Sequence, residues 1–445
     1  MCIEKEKRMN CLHVPRILMP KEGTDLYKWS VIACDQYTSQ PEYWKETEEI
    51  VGEAPSTLKL TLPEVYLESE EEEERVKTIH ETMKNYLKDG TLEALPNGFM
   101  LVERSFGKQV SRCGLIAEVD LETYEYKKGA KSLTRPTEMT VEERIPPRLK
   151  VRQNADIELP HIMLLIDDPE CSVIEPLIER KQQFMSVYDT DLMQNGGHIS
   201  GWMIPEGTET EEIMQRIEAL ADEKNFQKKY DLKEKYPLLN FAVGDGNHSM
   251  ATAKAAWEKI KKDLTQEEQE NHPARYCLCE IVNIHDKSLE IEPIHRVIFG
   301  VKEEELFRAA KEYYAKQGCE CIVNEGKQMP SAKENTHIFS VCTMTGEKTL
   351  QVKNPVWGIA VATLQNFLDA YLAEHKECRI DYIHGEDVVE SLGKQEGNMG
   401  FLLPEVKKED LFIGVIKDGV LPRKTFSMGE ANEKRYYMES KQLLL

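Results

Sequence analysis

Runs of apolar residues broken by glycine, proline and charged clusters alternate along the chain between two spacings, one of period two and one near 3.6. Val14–Pro20 reads as a short edge strand closed by proline, and Trp29–Gln36 as an apolar run ending in polar residues. The acidic run Glu68–Glu74 leads into a stripe of Val76, Ile79, Met83, Tyr86 and Leu87 that stops at Asp89-Gly90. This predicts a helix whose first turn is acidic, the end the helix dipole favours for negative charge. Phe99–Glu103 and Arg112–Asp120 alternate as paired strands around Phe106-Gly107-Lys108. Pro160–Asp168 predicts a buried strand ending in two acids. Phe184–Asp189 and Gly197–Ile204 predict strands either side of a turn at Gln194-Asn195-Gly196, and Thr208–Lys224 predicts a helix. Tyr276–Ile284 and Leu289–Phe299 read as a hairpin around His285-Asp286-Lys287-Ser288.

After Gly300 the texture changes. Helices are expected over Glu303–Lys316 and Ala362–His375, with strands near Glu320 and Ile338. A further strand and helix flank His384-Gly385, and Gly400–Pro404 closes a strand. The pattern predicts an α+β protein with antiparallel hairpins in its first part, divided into residues 1–300 and 301–445, the second part the smaller.

A chain of 445 residues, 40% apolar and 31% charged, reads as globular and soluble, with core enough for more than one domain. Its formal charge of −22 is the wrong sign for a nucleic-acid or anionic-membrane partner and leaves a small molecule as the expected one. Met1–Arg8 has no apolar leader, and the cysteines are odd in number (11) and scattered, so a reduced, cytoplasmic protein is expected. Cys277-Leu278-Cys279 and Cys319-Glu320-Cys321 have one-residue gaps, which suit buried strand cysteines better than a zinc knuckle.

The densest chemistry lies in Gly244-Asp245-Gly246-Asn247-His248-Ser249. An apolar run, Leu238–Val243, precedes it, and the helical pattern Met250, Ala253, Ala256, Trp257, Ile260 follows. A strand, a glycine turn and a helix start present free backbone N–H groups to an anion. The N–H groups of Gly246 to Ser249 are the candidate cradle, with Ser249 as candidate N-cap and His248 as a donor. Asp245 is placed to hold Mg²⁺ or to act as base. Glu138 is either the other base or a salt-bridge partner of a neighbouring arginine. Arg135, Arg144, Arg148 and Arg152 are candidates for holding phosphate or carboxylate. The last three are spaced for one helix face that Pro146-Pro147 interrupts. His295 reads as a hydrogen-bonded structural histidine, His161 and His198 as core or rim residues, and Arg423-Lys424 as an exposed basic pair. Neither a P-loop nor a kinase-type glycine loop is present.

Four segments in order resemble the bacterial and archaeal family called domain of unknown function 1015. They are Arg135–Thr140 with Arg144 and Arg148; Val243–Ala253; Ile291–Val297; and Ile380–Gly385 with Leu421–Thr425. That family in turn resembles the ParB/sulfiredoxin-like superfamily, in which a turn at a helix start binds nucleotide phosphates. Some members are kinases of free serine, others nucleotide switches or reductases of a sulfinic acid. The resemblance implies a ParB/sulfiredoxin-like core that uses ATP or ADP with Mg²⁺ to phosphorylate a small hydroxyl metabolite. Gly244, Gly246, Asn247, His248, Ser249, Arg144 and Arg148 would bind the nucleotide, and Asp245, Glu138 and His248 would be catalytic. The alternative is a non-catalytic nucleotide- or metabolite-binding regulator. The chain departs from the family where Asn247, Ser249 and Thr137 replace a usual histidine, arginine and histidine. Sulfiredoxins carry their thiol at the Asn247 position, so its absence argues against sulfinic-acid reduction. Loss of the arginine removes a bidentate phosphate fork.

Overall fold

The computed structural model describes residues 11–38, 40–107, 110–333, 335–417, 419–422 and 424–444. The chain forms two compact units. The first contains the chain through Pro136, Thr140–Leu289 and everything from Gly429 onward; the second contains Thr137–Met139 and Glu290–Met428.

The large sheet of the first unit holds, among the described residues, β1 (Leu12–His13), β2 (Gly98–Ser105), β3 (Ser111–Asp120), β4 (Thr134–Pro136), β5 (Met163–Ile166), β6 (Met185–Asp191), β7 (His198–Pro205), β8 (Phe241–Asp245) and β9 (Tyr276–Asn283). Their spatial order is β4-β8-β5-β9-β3-β2-β7-β6, with β1 also on β3. Only β4–β8 and β5–β9 run parallel. Phe241, Ala242 and Val243 of β8 and Leu164, Leu165 and Ile166 of β5 are fully buried. Burial on both faces explains why these strands read as unbroken apolar runs. Cys277 and Cys279 are buried in β9, as their spacing implied.

The acidic run does lead into a helix, α1 (Glu72–Lys88), which buries Ile79, Met83 and Tyr86. Two further helices frame the site, α2 (Ile145–Arg152) and α3 (Asn247–Ile260), and they pack on each other. The helix expected over Thr208–Lys224 is two, Thr208–Leu220 and Glu223–Lys229, because Asp222 leaves helical geometry and caps the second through Lys224 N–H and Asn225 N–H. The end of the chain is stitched back into this unit: Tyr436 bridges Ile32, Ser440 bridges Leu18, and Lys441–Gln442 pairs with Ile157–Glu158.

The second unit is a smaller α+β body. Its sheet holds β10 (His295–Phe299), β11 (Glu320–Glu325), β12 (Ser331–Lys333), β13 (Thr336–Thr343), β14 (Gly346–Lys353), β15 (Arg379–Ile383) and β16 (Asn398–Leu402), all antiparallel. The order is β11-β14-β13-β16-β10-β15, with β12 on β13. Helices α4 (Glu303–Ala315), α5 (Ala360–Glu374) and α6 (Glu386–Gly393) accompany it. A mixed α+β architecture with a sheet-rich N-terminal core is therefore present.

The hairpin expected over Tyr276–Phe299 does not form. β9 is inserted between β5 and β3 of the first unit, Ile291–Pro293 pairs with Phe426–Met428, and β10 pairs with β15 and β16. Both flanks of β9 are already occupied, so the following segment has no free edge there to join.

Candidate functional site

β8 ends on Asp245, and Gly246 turns the chain into α3 with φ 79° and ψ 28°, the left-handed region. A Cβ at this position would stand 3.0 Å from Ile162 Cα and 3.1 Å from its Cγ1, so glycine is required by both conformation and space. The N-cap is therefore Gly246 rather than Ser249, which sits inside the first turn. No side chain caps this helix. The first N–H groups of a helix have no intrahelical acceptor, so those of Asn247, His248 and Ser249 are available to an anion. Asp245 Oδ1 accepts from Gly246 N–H at 3.0 Å, and Oδ2 faces Lys434 Nζ at 3.3 Å. The Asn247 Oδ1 is buried with no hydrogen-bond partner.

His248 accepts from Val141 N–H through Nε2 at 3.3 Å, which leaves the ring proton on Nδ1. Burial lowers its pKa to about 4, and the positive charges of Arg148 and Arg144 push the same way against Asp35. Its donor atom at neutral pH is thus Nδ1. Ser249 Oγ lies 2.6 Å from His161 Nε2, and His161 Nδ1 lies 2.9 Å from Tyr437 Oη. Tyr437 Oη also accepts from Cys34 N–H at 3.1 Å, and the rings of His161 and Tyr437 meet edge-on. These groups open onto a cavity of about 140 Å³. Leu60, Leu62, Met83, Ile157 and Leu278 line it together with Glu64, Arg148, His161 and Ser249.

Pro146 and Pro147 do not break the arginine face; they occupy the first turn of α2, where a missing N–H costs nothing. The arginines nevertheless have different occupations. Arg148 is ion-paired to Glu64 at 2.5 Å and donates to Arg144 C=O at 2.8 Å. Arg152 is paired with the buried Glu158. Arg135 donates to the carbonyls of Pro237 and Leu238 at 3.1 and 3.0 Å, and burial lowers its pKa to about 10. Arg144 is exposed at the start of α2. Arg135 and Arg152 are thereby each held by partners within the fold.

Glu138 belongs to the second unit, where it accepts from Thr425 N–H at 3.1 Å and lies in the field of the Arg296 guanidinium. Burial pushes its carboxyl up. In the same unit His295 accepts from Leu403 N–H at 3.1 Å, the structural role expected of it. His198 lies on the rim between Asp189 and Asp191, and Arg423 lies outside the described residues. Sequence reasoning missed Lys434 and Tyr437 and gave His161 no partner. The only local signal was His161 beside the buried run that becomes β5, the neighbour of β8. Among the described residues, no three His, Cys, Asp or Glu side chains cluster as a metal cage, and no helix is long and apolar enough to cross a membrane.

No curated protein matches the chain. It is similar to the solved structure of a free serine kinase in complex with AMP, with 13% identity, a TM-score of 0.35, and coverage of 76% of this chain and 93% of that one. It is similar to a conserved hypothetical protein from Pyrococcus furiosus, at 12% identity and TM-score 0.34, covering 74% and 95% of the two chains. A C-terminally truncated SbnI from Staphylococcus aureus gives 9% identity and TM-score 0.34 over 73% and 82%. The model of the family described as "protein of unknown function (DUF1015)" matches residues 17–371, most of the length, and the chain belongs to that family.

Proposed function

We infer that this protein binds ATP or ADP through the Gly244–Ser249 turn and transfers a phosphoryl group to a small hydroxyl metabolite. One observation carries the reading: α3 opens at a left-handed glycine with no capping side chain, in a field that Arg148 and Arg144 make positive enough to help keep His248 neutral. The N–H groups of Asn247, His248 and Ser249 would hold the phosphate, joined by His248 Nδ1–H and by Arg144. Asp245 and the unpartnered Asn247 Oδ1 are hard oxygen donors of the kind Mg²⁺ takes alongside substrate phosphates, without a full protein cage. Bound Mg²⁺ would neutralise charge on the phosphate oxygens. Lys434 keeps Asp245 oriented in the meantime. Asp245 is the candidate for accepting the hydroxyl proton. The nucleotide part corresponds to the first unit, in the manner of ParB/sulfiredoxin-like proteins, and free serine is the acceptor suggested by that analogy.

A second reading is a nucleotide- or metabolite-binding regulator without turnover. It is favoured by Ser249 standing where an arginine fork is usual, and by Arg148 already being engaged in an ion pair with Glu64. Incubation with ATP or ADP, Mg²⁺ and hydroxyl amino acids separates the two. A phosphorylated product lost in Asp245→Asn supports the kinase. Thermal stabilisation by nucleotide without product supports the regulator. No response to any nucleotide refutes both.

A further inference from the structure

Ser249 and His161 form a nucleophile–base pair that the phosphate cradle does not require. Their atoms are 2.6 Å apart, and the imidazole is held at its other nitrogen by Tyr437 at 2.9 Å. A hydroxyl next to an imidazole that a third group orients is the arrangement that activates serine as a nucleophile. The proton positions are consistent with this role. Tyr437 is buried and its hydroxyl is pushed well above the usual range, so it stays protonated. In the tautomer with the proton on Nδ1, His161 donates to Tyr437 Oη, which also accepts from Cys34 N–H. His161 Nε2 is the remaining lone pair, and Ser249 is its neighbour. Asp35 Oδ2 stands 4.0 Å from the same ring nitrogen.

Position adds a second reason. Ser249 is in the first turn of α3, so a group attached to its Oγ lies beside the N–H groups that would hold a phosphate. A phosphoserine there is stabilised by the helix start and its dipole. The adjoining cavity of about 140 Å³ gives a small acceptor room beside the same oxygen.

We propose that Ser249 is itself phosphorylated during turnover, with His161 as general base, so that transfer passes through a phosphoserine. This rests on the nucleotide reading above and adds a covalent step to it. The Oγ–H proton moves to His161 Nε2 as the Oγ–P bond forms. The bond from the terminal phosphorus to the bridging oxygen breaks, and the nucleotide leaves one phosphate shorter, carrying the electron pair on that oxygen. In the second step the acceptor hydroxyl attacks phosphorus, and its proton goes to the Asp245 carboxylate. Oγ leaves and takes its proton back from the His161 imidazolium.

The test uses the full chain with ATP and Mg²⁺ and no acceptor, read by intact mass and peptide mapping, with binding of a non-hydrolysable ATP analogue measured separately. The expected result is one phosphoryl group on Ser249, lost in Ser249→Ala and slowed about 100-fold or more in His161→Asn. Both variants keep the backbone N–H groups of the turn, so analogue binding by each reports whether the cradle itself is intact. Tyr437→Phe should shift the pH profile of phosphoserine formation, a readout that packing alone leaves in place. Analogue binding and product formation without phosphoserine overturn the covalent step and leave the kinase reading standing. Phosphorylation that persists in Ser249→Ala, or labelling of Ser249 by a small activated ester but not by ATP, overturns it too. Absence of analogue binding overturns both.

Discussion

Replacing Gly246 with alanine strikes the turn where conformation and packing both demand glycine. The residue is held at φ 79°, and a methyl group would meet Ile162 Cα at 3.0 Å. The left-handed conformation costs an L-residue about 1–2 kcal/mol, and forcing a carbon against a backbone atom in packed surroundings adds about 1–3 kcal/mol, about 2–5 kcal/mol together. Ile162 directly precedes β5, which pairs with β8 and β9, so it has little freedom to retreat. Gly90 supplies the control. Its φ is 76°, yet nothing lies within 4 Å of the added methyl, so Gly90→Ala should cost only the conformational part, about 1–2 kcal/mol. Urea unfolding followed by tryptophan fluorescence is a suitable assay, since Trp29, Trp44, Trp202 and Trp257 all lie in the first unit. Gly246→Ala should also abolish any stabilisation by nucleotide, whereas Gly90→Ala should retain it. If the two variants lose equal stability, the close approach to Ile162 is not what fixes the glycine, and the geometry of the cradle has been misread.

His248 has a folded pKa near 4 against an ordinary value of 6.5, so folding favours its neutral form. Its contribution is fully present above about pH 6.5 and is lost as pH falls toward 4, because the unfolded chain takes the proton first. An NMR titration should find a neutral ring down to near pH 4, and bound phosphate should raise that midpoint. Arg435→Met leaves Glu280 and Glu439 buried without their shared cation. It should cost about 3–5 kcal/mol or prevent folding, as checked by urea unfolding and soluble yield. Asp245→Asn breaks a part-exposed pair with Lys434 and should cost only about 0.2–1 kcal/mol in the same assay. It should nonetheless lower phosphoryl transfer about 100-fold or more in a coupled assay.

The strand–glycine–helix of the site was legible because it is local. The apolar run up to Val243, the turn, and the stripe of Met250, Ala253 and Trp257 are all set by neighbours in sequence. Partner choice was not legible. The alternation of Tyr276–Asn283 defines a strand but says nothing of β5 and β3 on its two sides, and a hairpin was the wrong inference. Pro146-Pro147 read as an interruption because proline stops helices from within, whereas here it begins one. Ser249 read as the cap because serine is a common cap, but the left-handed turn at Gly246 places the helix start earlier. His161, Lys434 and Tyr437 reach the site through long-range pairing, in part through the bridge that ties Tyr436 to Ile32. No periodicity encodes that.

The central claim is that the first turn of α3 holds phosphate. A crystal structure of the full chain grown with ADP or ATP and Mg²⁺ tests it most directly. The account predicts phosphate oxygens within hydrogen-bond reach of the N–H groups of Asn247, His248 and Ser249. A nucleotide bound elsewhere, with that turn unliganded, would contradict it.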